Sequence, residues 1–311
     1  MTNKGSSKPV KKIKDKTILI TGGTGFIGSH LVQELDEYCD VLILSRSKKN
    51  RKKNRITADI THKSELLKSL KKIEIDVVFH NAAYTVTPEH KNGLDFILIN
   101  SVGTKNLLEL CRQKNIPQII YGSTMEVFGE PHYNPVNEIH PKLPESWYGI
   151  SKLVGEHFCR EYSMNYGIRT TVLRYSYVYG PRLPDFRVIH RFITQAVKND
   201  SLTVYNRGKS STDYIYVKDV VTANILAAER TTARYEDFNI GSGTETPVED
   251  LARAVINLVG AGKLQNIRNE KQSTTRFAFD ISKAREKLKF NPIFSLREGL
   301  QEQINYMITS K

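Results

Sequence analysis

Cysteine is scarce in this chain. Three residues, Cys39, Cys111 and Cys159, stand far apart among 311. An odd, scattered set argues against a disulfide framework and predicts free thiols in a reducing cytoplasm. Long hydrophobic runs are missing too. No apolar stretch approaches the roughly 20 residues a membrane-spanning helix needs. The charges of MTNKGSSKPVKKIKDK have no apolar stretch behind them, so no secretory signal and no membrane insertion are expected. The eight histidines include no pair at metal-ligand spacing, so no metal site is expected. There is no GxSxG elbow of a serine hydrolase. Gly208-Lys209-Ser210 lacks the upstream glycine of a phosphate-binding P-loop. Internal repeats are absent.

The net charge is +13, and it is unevenly placed. Residues 1–16 hold six lysines and one acid, and residues 46–55 hold seven basic groups and no acid, while the rest is near neutral. A solvated tail and a solvated loop are expected, and nucleic acid is not expected as a partner. With 39% hydrophobic and 25% charged residues the body reads as globular.

Short apolar runs at 17–21, 41–44, 77–80, 118–121 and 170–174 alternate with helical stretches near 26–37, 93–114 and from Tyr148 onward. That alternation predicts a doubly wound α/β domain, a parallel sheet covered on both faces. Beyond Gly180-Pro181 the elements shorten. Helices are expected at 187–199, 218–230 and 248–260, and strand-like pieces at 202–205, 213–217 and 237–240. The expected division is a basic tail (1–16), a dinucleotide-binding domain (17–180, with a return segment near 213–243) and a smaller, mainly substrate-binding region (181–311).

Thr21-Gly22-Gly23-Thr24-Gly25-Phe26-Ile27-Gly28 lies between the first strand and the first helix. Glycines there permit a tight turn and close approach of a pyrophosphate to backbone N–H groups at the helix N-terminus. Gly22, Gly25, Phe26, Ile27 and Gly28 are the candidate contacts. At the end of the second strand, NAD sites usually place a carboxylate. This chain has Ser45 and Arg46 instead. An arginine fork suits the extra phosphate of NADP, so NADP is favoured over NAD.

Tyr148 and Lys152 stand at i and i+4, on one helix face. A free phenol ionises near pH about 10, too high for a base at neutral pH. A nearby ammonium and a cationic nicotinamide both favour the phenolate, and lowering the pKa by about three units takes roughly 4 kcal/mol. Tyr205 and Tyr214 also precede a lysine by four residues, but in strand-like settings. Tyr148 opens a helix that follows Gly122-Ser123-Thr124-Met125-Glu126-Val127-Phe128-Gly129, a segment leaving the carboxyl end of a strand, where open sheets bind ligands.

These segments resemble the extended short-chain dehydrogenase/reductases, which include the NAD(P)-dependent nucleotide-sugar epimerases and dehydratases. The matching stretches are TGGTGFIG, Asp59-Ile60, His80-Asn81-Ala82-Ala83, Asn100, STMEVFG, YGISK, LRYSYVYGPR and FNIGSG. The resemblance implies a Rossmann sheet, with Asp59 and Ile60 against adenine and Ala82 and Ala83 at the cofactor ribose. Tyr148 would be the acid/base, Lys152 would bind the nicotinamide ribose, and Thr124 would hydrogen-bond the reacting oxygen. Asn100 would fix the active-site helix beside the cofactor, and Tyr175 would also adjoin it. Ser123, Thr124 and Tyr177 would face substrate.

The departures carry information as well. Dehydratases usually follow that threonine with Asp-Glu, whereas here Met125 precedes Glu126, a candidate second proton-transfer group. Family members usually carry Asn at Tyr177 and Arg at Thr212, both near the substrate diphosphate. Arg207 and Arg276 are the candidate replacements. The reading is an enzyme of epimerase/dehydratase type on a nucleotide sugar, with an NADPH-dependent 4-ketoreductase as alternative. A non-catalytic nucleic-acid or partner binder on the same fold is the rival class. Relatives dimerise through helices at about 93–114 and 148–166, so a homodimer is expected, with Leu107, Leu110, Val154 and Phe158 as apolar contributors.

Overall fold

The computed structural model describes residues 12–47, 54–86, 92–205, 208–268 and 274–309. Lys48, Lys49, Lys52 and Lys53 of the basic loop, most of the basic tail, and Arg207 lie outside these.

Strand β1 (Thr17–Thr21) is almost wholly buried, as a continuous apolar run with no polar alternation requires. It turns through the glycine loop into α1 (Phe26–Leu35). Strands β2 (Asp40–Ser45) and β3 (Arg55–Thr57), helix α2 (Lys63–Ser69) and β4 (Val77–His80) complete the first half. The helix expected over 93–114 has three parts: α3 (Gly93–Phe96), a π-helical segment (Ile97–Val102) and α4 (Gly103–Gln113). Then come β5 (Gln118–Thr124), α5 (Trp147–Tyr166), β6 (Arg169–Tyr175), β7 (Tyr177–Tyr179) and α6 (Val188–Val197). The last part holds β8 (Ser201–Tyr205), β9 (Ser211–Tyr216), α7 (Val217–Arg230), β10 (Tyr235–Ile240), β11 (Glu245–Pro247), α8 (Val248–Val259), β12 (Lys263–Ile267) and α9 (Leu296–Thr309).

Seven strands form one parallel sheet in the order β10-β6-β5-β4-β1-β2-β3. Strand β10 carries Phe238, Asn239 and Ile240 to the sheet edge beside β6. Strand β9 does not join it. It pairs with β7 and β11 in a separate three-stranded sheet, because β7 peels away from β6 after Ser176. One apolar core lies under α1 and α7, and a second under α2, α4 and α5. Leu107 and Leu110 belong wholly to the second core. This corrects the expectation that they offer themselves to a partner: their helix turns that face onto the sheet.

Sequence patterning passed over β3, α2, β7, β11, β12 and α9. Most are three to seven residues long, too short for a period to declare itself. Among the described residues, no helix is long and apolar enough to cross a membrane.

Candidate active site

A cleft of about 860 Å³ opens at the carboxyl ends of β1, β4, β5 and β6. At its floor, Gly22 adopts φ +71°, and a Cβ there would lie 2.6 Å from the Ala82 nitrogen. A Cβ on Gly28 would stand 2.1 Å from the Gly22 carbonyl oxygen. Both positions must therefore be glycine for the turn, α1 and β4 to meet. Helix α1 begins without a capping side chain and without an acid in its first turn. Its N-terminal N–H groups and dipole are thus left for an anion. Gly22, Gly25, Phe26, Ile27 and Gly28 all line the cleft.

Ser45, Arg46, Asp59, Ile60, Ala82 and Ala83 line it as well. Arg46 is exposed at the end of β2. Asp59 accepts from the Thr61 amide (2.9 Å) and hydroxyl (2.8 Å), which pins the chain where it passes the cleft.

Thr124 ends β5. Its Oγ1 accepts from the Glu126 amide at 3.2 Å, leaving the hydroxyl proton free to donate. Glu126 Oε2 accepts from Ser146 Oγ at 2.6 Å, and Ser146 caps α5. Two residues on, Tyr148 enters the cleft wall, and Lys152 follows one turn later. The Lys152 ammonium lies 4.1 Å from the centre of the Tyr121 ring, and burial pushes it down to about 7. The Tyr148 phenol stands above its ordinary value, not below it as the spacing suggested. Burial raises it, the Glu126 carboxylate raises it further, and the cation opposing them is Arg187.

Behind the cleft, Ser123 donates to Glu156 at 2.6 Å. Glu156 is forked onto Arg174 (2.8 and 2.9 Å), which reaches Asp237 at 2.7 Å. Asn100 does not line the cleft. It sits in the π-helical segment, where its side chain accepts from the Tyr84 amide (2.7 Å) and donates to Ser151 on α5 (2.9 Å). It thereby anchors the helix that carries Tyr148. His80 joins this anchor to β1. Thr104 Oγ1 gives its one proton to the Asn100 carbonyl (2.5 Å), so it accepts from His80 Nε2 (2.9 Å). His80 Nδ1 then accepts from Thr21 Oγ1 (2.7 Å).

Ser123, Thr124, Glu126, Tyr175 and Tyr177 line the cleft as well. Arg276 does not. It is forked onto Glu245 (2.6 and 2.9 Å) on the surface. The lining residues that were not anticipated include Asn81, Ser176 and Arg187. One signal for Arg187 was present, since an arginine opening a helix opposes the helix dipole and calls for another reason to be there.

The residues fit a dinucleotide. The glycine turn and the uncapped α1 suit a pyrophosphate, and the buried Asn81 Nδ2 faces this region without a hydrogen-bond partner, a group that a bound ligand would satisfy.

The model of the NAD dependent epimerase/dehydratase family matches residues 18–241. A putative UDP-glucose 4-epimerase of Methanocaldococcus jannaschii is 38% identical over 93% of this chain and 98% of its own length. UDP-glucuronic acid decarboxylase 1 of Xenopus tropicalis is 32% identical over 96% of this chain and 74% of its own. The crystal structure of Thermus thermophilus UDP-glucose 4-epimerase in complex with NAD superposes with a TM-score of 0.84 at 26% identity, covering 95% of this chain and all of that one.

Proposed function

The chain belongs to the NAD dependent epimerase/dehydratase family, and on that premise we propose that it transfers hydride between a nicotinamide dinucleotide and the sugar carbon of a nucleotide sugar. The observation that carries this reading is one cleft in which the glycine turn and Arg46 lead to Thr124, Glu126, Tyr148 and Lys152. The bound nicotinamide would take a hydride from the sugar carbon or return it.

The protein's own groups do the rest. The α1 amides hold the pyrophosphate, while Asp59, Ile60, Ala82 and Ala83 flank adenine and ribose. The free proton of Thr124 orients the reacting sugar oxygen, and Tyr148 moves the proton on that oxygen. Burial leaves the phenol protonated in the resting protein, which suits it to donate to a sugar carbonyl. To accept a proton, it needs the cations Lys152 and Arg187, and the nicotinamide, to favour the phenolate. Glu126 is the second candidate proton carrier. Residues 17–180, with the return segment near 213–243, would hold the dinucleotide, and residues 181–311 would mainly serve the substrate.

Arg46 without a neighbouring acid favours NADP over NAD, and with it net reduction of a 4-keto sugar as the second reading. Free thiols at Cys39, Cys111 and Cys159 suit the cytoplasm. Leu94, Leu98 and Val102 are exposed at four-residue spacing beside the exposed Trp147, a stripe that suits a homodimer. The test is incubation with NAD, NADP and NADPH and a panel of UDP-sugars and 4-keto sugars, with products read by mass and NMR. Epimerised, dehydrated or reduced sugar is expected. Failure of every member to turn over, with folded protein and bound cofactor, overturns the enzyme reading.

A further inference from the structure

Thr124 and Tyr148 belong to different elements: Thr124 ends β5, and Tyr148 lies in the first turn of α5. Hydrogen bonds tie these elements on both sides of Thr124. Ahead of it, Glu126 accepts from Ser146 at 2.6 Å. Behind it, Ser123 donates to Glu156 Oε1, also at 2.6 Å. Glu156 stands about two turns beyond Tyr148 on the same helix. Its carboxylate is not free to swing. Oε1 also accepts from Arg174 Nε at 2.9 Å, and Oε2 accepts from Arg174 Nη2 at 2.8 Å. Arg174 Nη2 donates in turn to Asp237 at 2.7 Å, and Lys283 donates to the other Asp237 oxygen at 2.8 Å. The Arg174 guanidinium carbon lies 5.3 Å from the centre of the Phe128 ring, just past the turn that follows Thr124. Residues on both sides of Thr124 therefore rest on one ion pair.

Glu156 and Arg174 are wholly buried, and neither lines the cleft. Charges this deep cost more to bury than well-packed apolar side chains of similar volume. Stability alone does not call for them. A single fixed geometry does, because a bidentate fork has one orientation while apolar packing tolerates several. We propose that Glu156, oriented by Arg174, is a positioning residue that sets Thr124 against Tyr148 by holding Ser123. The inference rests on the roles given to Thr124 and Tyr148 above. It adds that a residue outside the cleft governs the rate of the proton-transfer step.

Ser123→Ala, Glu156→Asp and the double variant test it, well below their melting temperatures. Steady-state kinetics on the sugar that wild type turns over are read beside fluorescence titrations of NADH and NADPH. Ser123→Ala cuts the link and leaves the fork of Glu156 on Arg174 in place. Glu156→Asp keeps the charge for Arg174 and draws the carboxylate back from Ser123. Each should lower kcat about 10- to 100-fold, the scale of a reacting group displaced by up to ~1 Å. KM and dinucleotide affinity should stay within about twofold, since ground-state binding is untouched. The double variant should be no slower than the slower single one, because both changes remove the same link. Should Glu156→Asp not fold, Asp237→Asn at the outer end of the chain takes its place in the cycle. Losses that multiply in the double variant, or an unchanged kcat in Ser123→Ala, overturn the positioning role. So does a loss confined to KM or dinucleotide affinity, which marks direct binding. Wild type that turns over no sugar removes the enzyme reading, and the positioning role with it.

Discussion

Glu126 and Ser146 share a 2.6 Å hydrogen bond across the mouth of the cleft. The same serine oxygen accepts from the Gly149 amide at 2.9 Å, so the turn after β5 and the first turn of α5 are tied at one atom. Ser146→Ala should therefore cost about 0.5–2 kcal/mol of stability, as lost helix caps do, and should release Glu126. Urea midpoints check the first effect and turnover the second. A variant as stable and as active as wild type would mean the link does nothing.

Tyr148→Phe keeps the ring and removes the titrating oxygen. Turnover should fall by about 10²-fold or more, with cofactor affinity little changed. Near-normal turnover would remove Tyr148 from the proton-transfer step.

The Glu126 carboxylate raises the Tyr148 phenol. Neutralising it in Glu126→Gln makes the phenolate easier to form, so the limb of the pH–rate profile that reports phenol ionisation should move to lower pH. If that limb stays in place, the two groups are not coupled during turnover.

Arg46 stands exposed at the end of β2, on the cleft wall. Arg46→Ala should lose a charge-assisted contact of roughly 2–3 kcal/mol to the 2′-phosphate, about 30- to 150-fold in NADP affinity. NAD affinity should barely move. Titration of both cofactors against both proteins decides it, and equal losses, or a wild type that prefers NAD, would reject the NADP assignment.

His80 is wholly buried, and burial holds its pKa down at about 3. In the unfolded chain it protonates near pH 6.5. Between those values the unfolded state takes up a proton that the folded state refuses. Its contribution is thus intact above about pH 6.5 and is lost as the pH falls toward 3. Wild type should lose more stability between pH 7 and pH 5 than His80→Gln does, measured as the shift in urea midpoint. Identical losses would show that His80 is not the group responsible.

What the sequence determined by itself is local. The apolar run of β1, the spacing of Gly22, Gly25 and Gly28, and the one-turn step from Tyr148 to Lys152 each lie within a few residues, where backbone sterics and helix period decide the outcome. Those patterns were enough for the parallel sheet, the glycine turn and the helix that carries Tyr148 and Lys152. The tertiary structure decided what depends on neighbours distant in the chain. Arg276 found Glu245 and left the cleft, while Arg187 came into it. Leu107 and Leu110 turned to the sheet, and Leu98 and Val102 stayed exposed. The Tyr148 phenol rose because segments far from α5 desolvate it and set Glu126 beside it. Pairing and dielectric are properties of the space a side chain shares, and that space exists only once β1, β4, β5 and β6 have come together.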